Sequence, residues 1–192
     1  MPHIALRDLP GIRALFAFRP ETAEPINRLV DFLLAAPNSL SRGDRELIAT
    51  YTSFANKCYY CGTSHGMSAA RLLGNDEALV ESVKCDFETA EISDKLKALI
   101  NIAGRVQQSG LDVTPEDVDR ARRHGATDFE IHDAVLIAAT FCMLNRYVDG
   151  LGTIAPPDLD SYRQRAQTVA DHGYMGVHKA VQDAVAAQDE AK

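Results

Sequence analysis

An all-α fold is predicted by three observations. No segment sustains the apolar–polar alternation of a half-buried strand, and no two such runs are joined by a hairpin turn. Apolar residues recur at helical spacing, as in Leu96, Leu99, Ile100 and Ala103. Helix starts and stops are written plainly by capping residues, Pro and Gly.

The elements follow in order. A first helix is predicted over residues 21–36, ending before Pro37-Asn38. Ser41 caps a second, with Asp44 at the third helical position and Glu46 just beyond. Its apolar run fades at Asn56-Lys57, and the Cys58-Tyr59-Tyr60-Cys61 segment opens a third helix that stops at Gly74-Asn75. Residues 76–83 form a short helix. Ser93 caps a helix over 94–108, and Gly110 ends it. Thr114-Pro115-Glu116-Asp117 starts the next, with Pro at the first helical position, and His124-Gly125 ends it. Thr127 and Glu130 make a capping box for a long helix to about residue 148. Gly150, Gly152 and Pro156-Pro157 break the chain before two last helices, about 160–171 and 176–187.

Composition bounds the rest. With 192 residues and 46% hydrophobic content, the chain has enough apolar material for one sizeable core. The formal charge of −7 argues against a nucleic-acid partner, which calls for a basic surface. No apolar run reaches the roughly 20 residues of a membrane span, and no signal peptide is evident. The 4 cysteines, Cys58, Cys61, Cys85 and Cys142, are too few for a disulfide scaffold; a cytoplasmic protein with one reactive pair fits better.

Residues 44–66 align with 128–150 at a constant offset. Asp44 pairs with Asp128, Glu46 with Glu130, Cys58 with Cys142 and Gly66 with Gly150. A duplicated helical-hairpin unit is one reading; chance likeness of two amphipathic helices is the other.

The chemistry concentrates at Cys58, Cys61 and His65. Thiols at i and i+3 share a helical face, and a histidine at i+4 from Cys61 joins it, with Cβ atoms about 5–6 Å apart. On one straight helix Glu46 would lie roughly 18 Å from Cys58. A reversal at Asn56-Lys57 instead brings Glu46 level with His65 on facing helices. A free thiol is mostly protonated at neutral pH, and only the thiolate attacks a peroxide or disulfide. His65 can take that proton, and Glu46 can orient the imidazole. The field at the helix N-terminus favours Cys58 as the thiolate, whereas the histidine favours Cys61. Spacing alone leaves the nucleophile open. It also leaves open a zinc site formed with Glu46.

Glu46-x11-Cys58-x2-Cys61-x3-His65 resembles the core motif of the AhpD-like alkylhydroperoxidases of the carboxymuconolactone decarboxylase superfamily. Leu40-Ser41, Arg45-Glu46-Leu47-Ile48, Ser53 and Asn56 extend the likeness. Residues 141–146 and 149–152 resemble the C-terminal signature of its peroxidase-related subgroup. The resemblance covers roughly residues 20–155 and implies a single AhpD-like helical-bundle domain over 1–192, with C-terminal helices in 156–192. It implies a peroxidase with Cys61 as nucleophile, Cys58 as resolving thiol, and His65 and Glu46 as proton relay. The implied partners are a hydroperoxide and a dithiol reductant, with no cofactor and no metal, in a trimeric or hexameric homo-oligomer. Tyr60 departs from the pattern, because the best-studied members carry histidine there. Decarboxylase members lack the thiol pair.

Two other functions remain compatible with the motif. One is a general dithiol–disulfide oxidoreductase. The other is a non-enzymatic redox-sensing or zinc-binding assembly. Cys85 and Cys142 are expected as packing residues. His132 and Asp133 are expected at the surface or an interface, and Tyr59 as a lid or interface side chain.

Overall fold

A computed structural model describes residues 1–190. The described chain is helical throughout, without a strand. Its helices are α1 (Ile12–Phe18), α2 (Pro20–Leu34), α3 (Arg42–Ala55), α4 (Tyr59–Leu72) and α5 (Glu77–Asp86). They continue as α6 (Asp94–Gln108), α7 (Pro115–Arg123), α8 (Asp128–Gly150) and α9 (Asp160–Glu190).

The caps work as their sequences dictate. Ser41 accepts from the Asp44 N–H and Ser93 from the Leu96 N–H. Thr114 and Thr127 each close a capping box, with Asp117 and Glu130 respectively. Each cap satisfies N–H groups that the first helical turn would otherwise leave without partners.

Helix α3 is the hub. It packs against α4, α6 and α8, and its Leu47, Ile48 and Ala49 are fully buried. Leu99 and Ile100 of α6 and Ile137 and Phe141 of α8 complete the main core. Truncating one such side chain to alanine typically costs about 2–5 kcal/mol. Arg45, also buried, donates to the Leu33 and Ala36 carbonyls at 2.8 and 2.9 Å. It thereby satisfies the C-terminal end of α2 and locks it to α3.

Two features differ from expectation. Helix α1 was not anticipated. Its 7 residues are too few to be stable alone, and it exists because Ala14, Leu15 and Phe16 are buried by the rest of the molecule. The two expected C-terminal helices are both present within α9, and they meet at Gly173, where φ is 64° and ψ −163°. The proposed repeat does not reproduce a hairpin. Residues 128–150 form one unbroken helix, whereas 44–66 reverse direction at Lys57, whose φ is 61°. The aligned position in α8 is Phe141, a buried core residue in mid-helix.

Candidate active site

The site is built on the hairpin of α3 and α4. The turn closes with the Lys57 N–H on the Phe54 carbonyl at 2.8 Å and the Cys58 N–H on the Ser53 carbonyl at 3.0 Å. Asn56 ties the turn to the rest of the fold. Its amide donates to Asn145 Oδ1 at 2.8 Å and its carbonyl accepts from Gln107 at 3.0 Å. Asn145 in turn donates to Ser53 Oγ at 3.1 Å. Ser53, Asn56 and Asn145 therefore hold the hairpin in place rather than take part in chemistry.

Cys58 is the N-cap residue of α4, and Cys61 occupies its third position. Both are free thiols with 1% and 5% exposure. The Cys58 thiol shares a hydrogen bond with Cys61, and that bond, followed by burial, pushes its pKa up. This opposes the helix-end argument, which favours Cys58 as the thiolate.

His65 lies one helical turn beyond Cys61 and is almost wholly buried. Its Nδ1 is 2.8 Å from Glu46 Oε2. The facing-helix placement read from the spacing is thus realised. Burial pulls the His65 pKa down, and the Glu46 carboxylate only partly offsets this. The pair is a hydrogen bond to a neutral imidazole more than an ion pair. Nδ1–H donating to Glu46 leaves the Nε2 lone pair as the proton acceptor, a tautomer assigned from the hydrogen-bond network.

Tyr174 completes the cluster. Its hydroxyl donates to Glu46 Oε1 at 2.5 Å and lies 3.0 Å from His65 Nδ1. The Tyr174 and His65 rings stack at 5.8 Å with an interplanar angle of 13°, while Phe141 meets His65 edge-on at 4.5 Å. Burial, reinforced by Glu46, raises the Tyr174 pKa well above its usual value, so it remains a phenol. Arg165 sits over the Tyr174 ring, 5.4 Å from its centroid.

Sequence reasoning missed Tyr174 and Arg165. Both lie on α9, a hundred or more residues beyond the motif, where no spacing rule applies. The available signal was Gly173, the break that turns the chain just before Tyr174. There the Tyr174 N–H donates to Asp31 of α2 at 2.6 Å.

The thiols are covered by the N-terminal segment. Leu15 packs with Cys58, Tyr60, Cys61, Val148 and Tyr162. The segment is pinned by the His3 N–H on the Leu151 carbonyl at 3.0 Å and the Gly11 N–H on the Ile154 carbonyl at 2.9 Å. Gly11 lies directly on the Tyr60 ring, and burial raises the Tyr60 pKa, so this phenol is no base at neutral pH. Cys58 also opens onto a groove of about 610 Å³ bordered by Phe54, Tyr59 and Met67. His65 lines a separate cavity of about 40 Å³, and Cys61 lines neither space.

Other candidates behave differently. Cys85 is exposed, so its expected packing role is wrong: it points away from the face of α5 that buries Val80 and Val83. Cys142 is partly buried and accepts from Asn56 at 3.5 Å. His132 is exposed, as expected, and Asp133 accepts from Asn38 at 2.6 Å. Among the described residues, no three His, Cys, Asp or Glu side chains converge in a metal-holding arrangement. No helix of the described residues is long and apolar enough to cross a membrane.

Fold and site together define an all-helical protein with a buried CxxC dithiol beside a Glu–His–Tyr cluster. The sequence model of the Carboxymuconolactone decarboxylase family matches residues 20–84, which span α2 to most of α5. A solved structure described as alkylhydroperoxidase AhpD core, a peroxidase-related protein from Ralstonia eutropha JMP134, is 26% identical. It superposes with a TM-score of 0.73 over 83% of this chain and 82% of that one. A peroxidase-related protein from Silicibacter sp. TM1040 shares the fold at 24% identity, with a TM-score of 0.72 over 82% and 80% of the two chains. No curated protein matches the chain. Residues 20–84 thus resemble the carboxymuconolactone decarboxylase family, and the chain shares the fold of the AhpD-like structures.

Proposed function

We propose that the chain is a thiol-dependent peroxidase that reduces hydroperoxides through a Cys58/Cys61 dithiol–disulfide cycle. The observation that carries this reading is the buried Glu46–His65 pair, aligned one turn behind Cys61 with the imidazole neutral and its Nε2 free to accept. His65 takes the Cys61 proton. The Cys61 thiolate attacks the terminal peroxide oxygen, the O–O bond breaks, and the departing alkoxide recovers the proton as an alcohol. Cys61 is left as a sulfenic acid. Cys58 attacks that sulfur, the S–S bond forms, and hydroxide leaves as water with the Cys58 proton. An external dithiol then restores both thiols and is itself oxidised to a disulfide. Glu46 and Tyr174 hold His65 in the accepting tautomer. The cycle fits a cytoplasmic location with dithiol reductant at hand.

The test couples peroxide consumption to dithiol oxidation. Turnover should vanish in both Cys61→Ser and Cys58→Ser, and one equivalent of peroxide should remove two hydrogens from the intact mass, mapped to the Cys58–Cys61 pair. Absence of turnover with every hydroperoxide would sink the reading.

The open groove at Cys58 favours a second reading, a general dithiol–disulfide oxidoreductase that accepts protein or small disulfides. It predicts insulin reduction without peroxide.

A further inference from the structure

A disulfide is reduced by attack on one of its two sulfurs, and the other leaves as a thiolate. In this fold the two sulfurs of the CxxC pair are not equivalent. Cys58 borders the groove of about 610 Å³, with Tyr59, Gly62, Thr63 and Met67 of the same helix, and Cys61 does not. Helix geometry gives the reason. At about 100° per residue around the α4 axis, Tyr59, Gly62 and Thr63 turn to one side of Cys58, and Cys61 and His65 turn to the other. Displacement at sulfur needs the attacking thiolate in line with the bond that breaks. A thiolate entering from the groove meets Cys58 Sγ with Cys61 Sγ behind it.

The two leaving groups differ as well. A Cys61 thiolate is released one helical turn from His65, whose imidazole is held by Glu46. A Cys58 thiolate is opposed by its surroundings. The Cys61 hydrogen bond, burial and a hydrogen bond to the Asp149 carboxylate all favour the thiol there. Burial and Asp149 act on Cys58 whichever sulfur the reductant occupies. Asp149 lies one turn beyond Asn145, which bonds Asn56 and Ser53 at the hairpin turn, and its neighbour Val148 packs in one cluster with both thiols. The thiol that is more easily released as a thiolate leaves faster.

We propose that the external dithiol attacks Cys58 Sγ through the groove and that Cys61 is the leaving thiolate. The first reductant thiol releases its proton to solvent, and its sulfur bonds to Cys58. The Cys58–Cys61 bond breaks, and the Cys61 thiolate takes a proton back through His65. The second reductant thiol attacks the sulfur now bonded to Cys58, and its proton passes to the departing Cys58. The reductant closes to a disulfide, and two electrons and two protons have reached the protein. Cys58 is thereby the sulfur that exchanges with the reductant. This entry point presupposes the dithiol cycle proposed above and is independent of the peroxide step.

The test uses the intact protein oxidised with diamide, so that no peroxide is needed. The disulfide is treated with 2-mercaptoethanol, which lacks a second thiol and leaves the mixed disulfide in place. Acid stops the exchange, N-ethylmaleimide caps the freed thiol, and peptide mapping locates both groups. The mercaptoethanol adduct should sit on Cys58 and the maleimide on Cys61, in about tenfold excess over the reverse. An adduct on Cys61, or an even split, overturns the proposal. Failure to form the disulfide overturns it together with the dithiol cycle. Thr63→Trp, which fills the groove, should slow reduction by 2-mercaptoethanol about tenfold with helical circular dichroism retained. An unchanged rate in that folded variant overturns the route; should the variant not fold, the mapping decides. If no hydroperoxide turns over while the adduct maps to Cys58, the peroxidase reading fails and the entry point stands. If hydroperoxides turn over while the adduct maps to Cys61, the entry point fails and the peroxidase reading stands.

Discussion

Glu46 is the side chain on which the site turns. It is fully buried, yet both its oxygens are occupied, by His65 Nδ1 and the Tyr174 hydroxyl. Removing either partner leaves part of a buried carboxylate without a donor. Tyr174→Phe is expected to lower kcat/KM for peroxide about tenfold with helix content unchanged. The remaining carboxylate charge then acts more fully on the imidazole, so the acid limb of the pH–rate profile should move to higher pH. An unmoved limb would make Tyr174 a packing residue. His65 also links stability to pH. Burial holds its pKa below the value of about 6.5 found in unfolded chains. At neutral pH and above, the imidazole is neutral in both states and contributes no difference. As pH falls below about 6.5, the unfolded chain takes the proton first, so stability declines until the folded-state pKa is reached. Urea midpoints measured between about pH 7.5 and about pH 5.5 should fall, and the fall should be shallower in His65→Gln.

Two elements beyond the hairpin decide whether the site is assembled and covered. The bend in α9 depends on Gly173, where a Cβ would overlap Asp31 Oδ1 and where φ is positive. Gly173→Ala should cost about 1–3 kcal/mol in denaturant unfolding and should reproduce part of the Tyr174→Phe kinetic loss, because it shifts the hydroxyl off Glu46. The N-terminal segment with α1 lies over the thiols, and Gly11 permits the contact: its φ is 55°, and a Cβ there would overlap the Tyr60 ring. Gly11→Ala should loosen this cover, and iodoacetamide should then label Cys58 and Cys61 faster than in the native protein. Equal labelling rates would mean that the thiols are reached by the groove at Cys58 instead. Neither element was readable in advance as part of a site. Helix α1 is held by tertiary burial rather than by local preference, and the break before Tyr174 looks, in sequence, like an ordinary loop.

The whole molecule presents aromatic side chains to solvent, among them Phe32 and Phe129, at 67% and 82% exposure, on the rim of one groove. Isolated exposed apolar residues are ordinary, but two such rings in one groove are the kind of surface that copies of a chain cover in an assembly. Light scattering is expected to give the mass of a trimer or hexamer of the 21.0 kDa chain, and Phe129→Asp should reduce it. Much of this molecule was legible in one dimension. Ser41, Ser93, Thr114 and Thr127 announce helix starts because capping is a contact across three residues. The pairing of Glu46 with His65 was legible because helical rise and a single reversal convert spacing into depth. For the same reason the sequence by itself determined an all-helical fold and the CxxC–His face of α4: local geometry is enough to specify both. The tertiary structure alone decided that Tyr174 and Arg165 reach the site, that α1 covers the thiols, and that Cys58 and His65 line separate spaces. Those contacts join segments up to 128 residues apart, and packing, not periodicity, selects them.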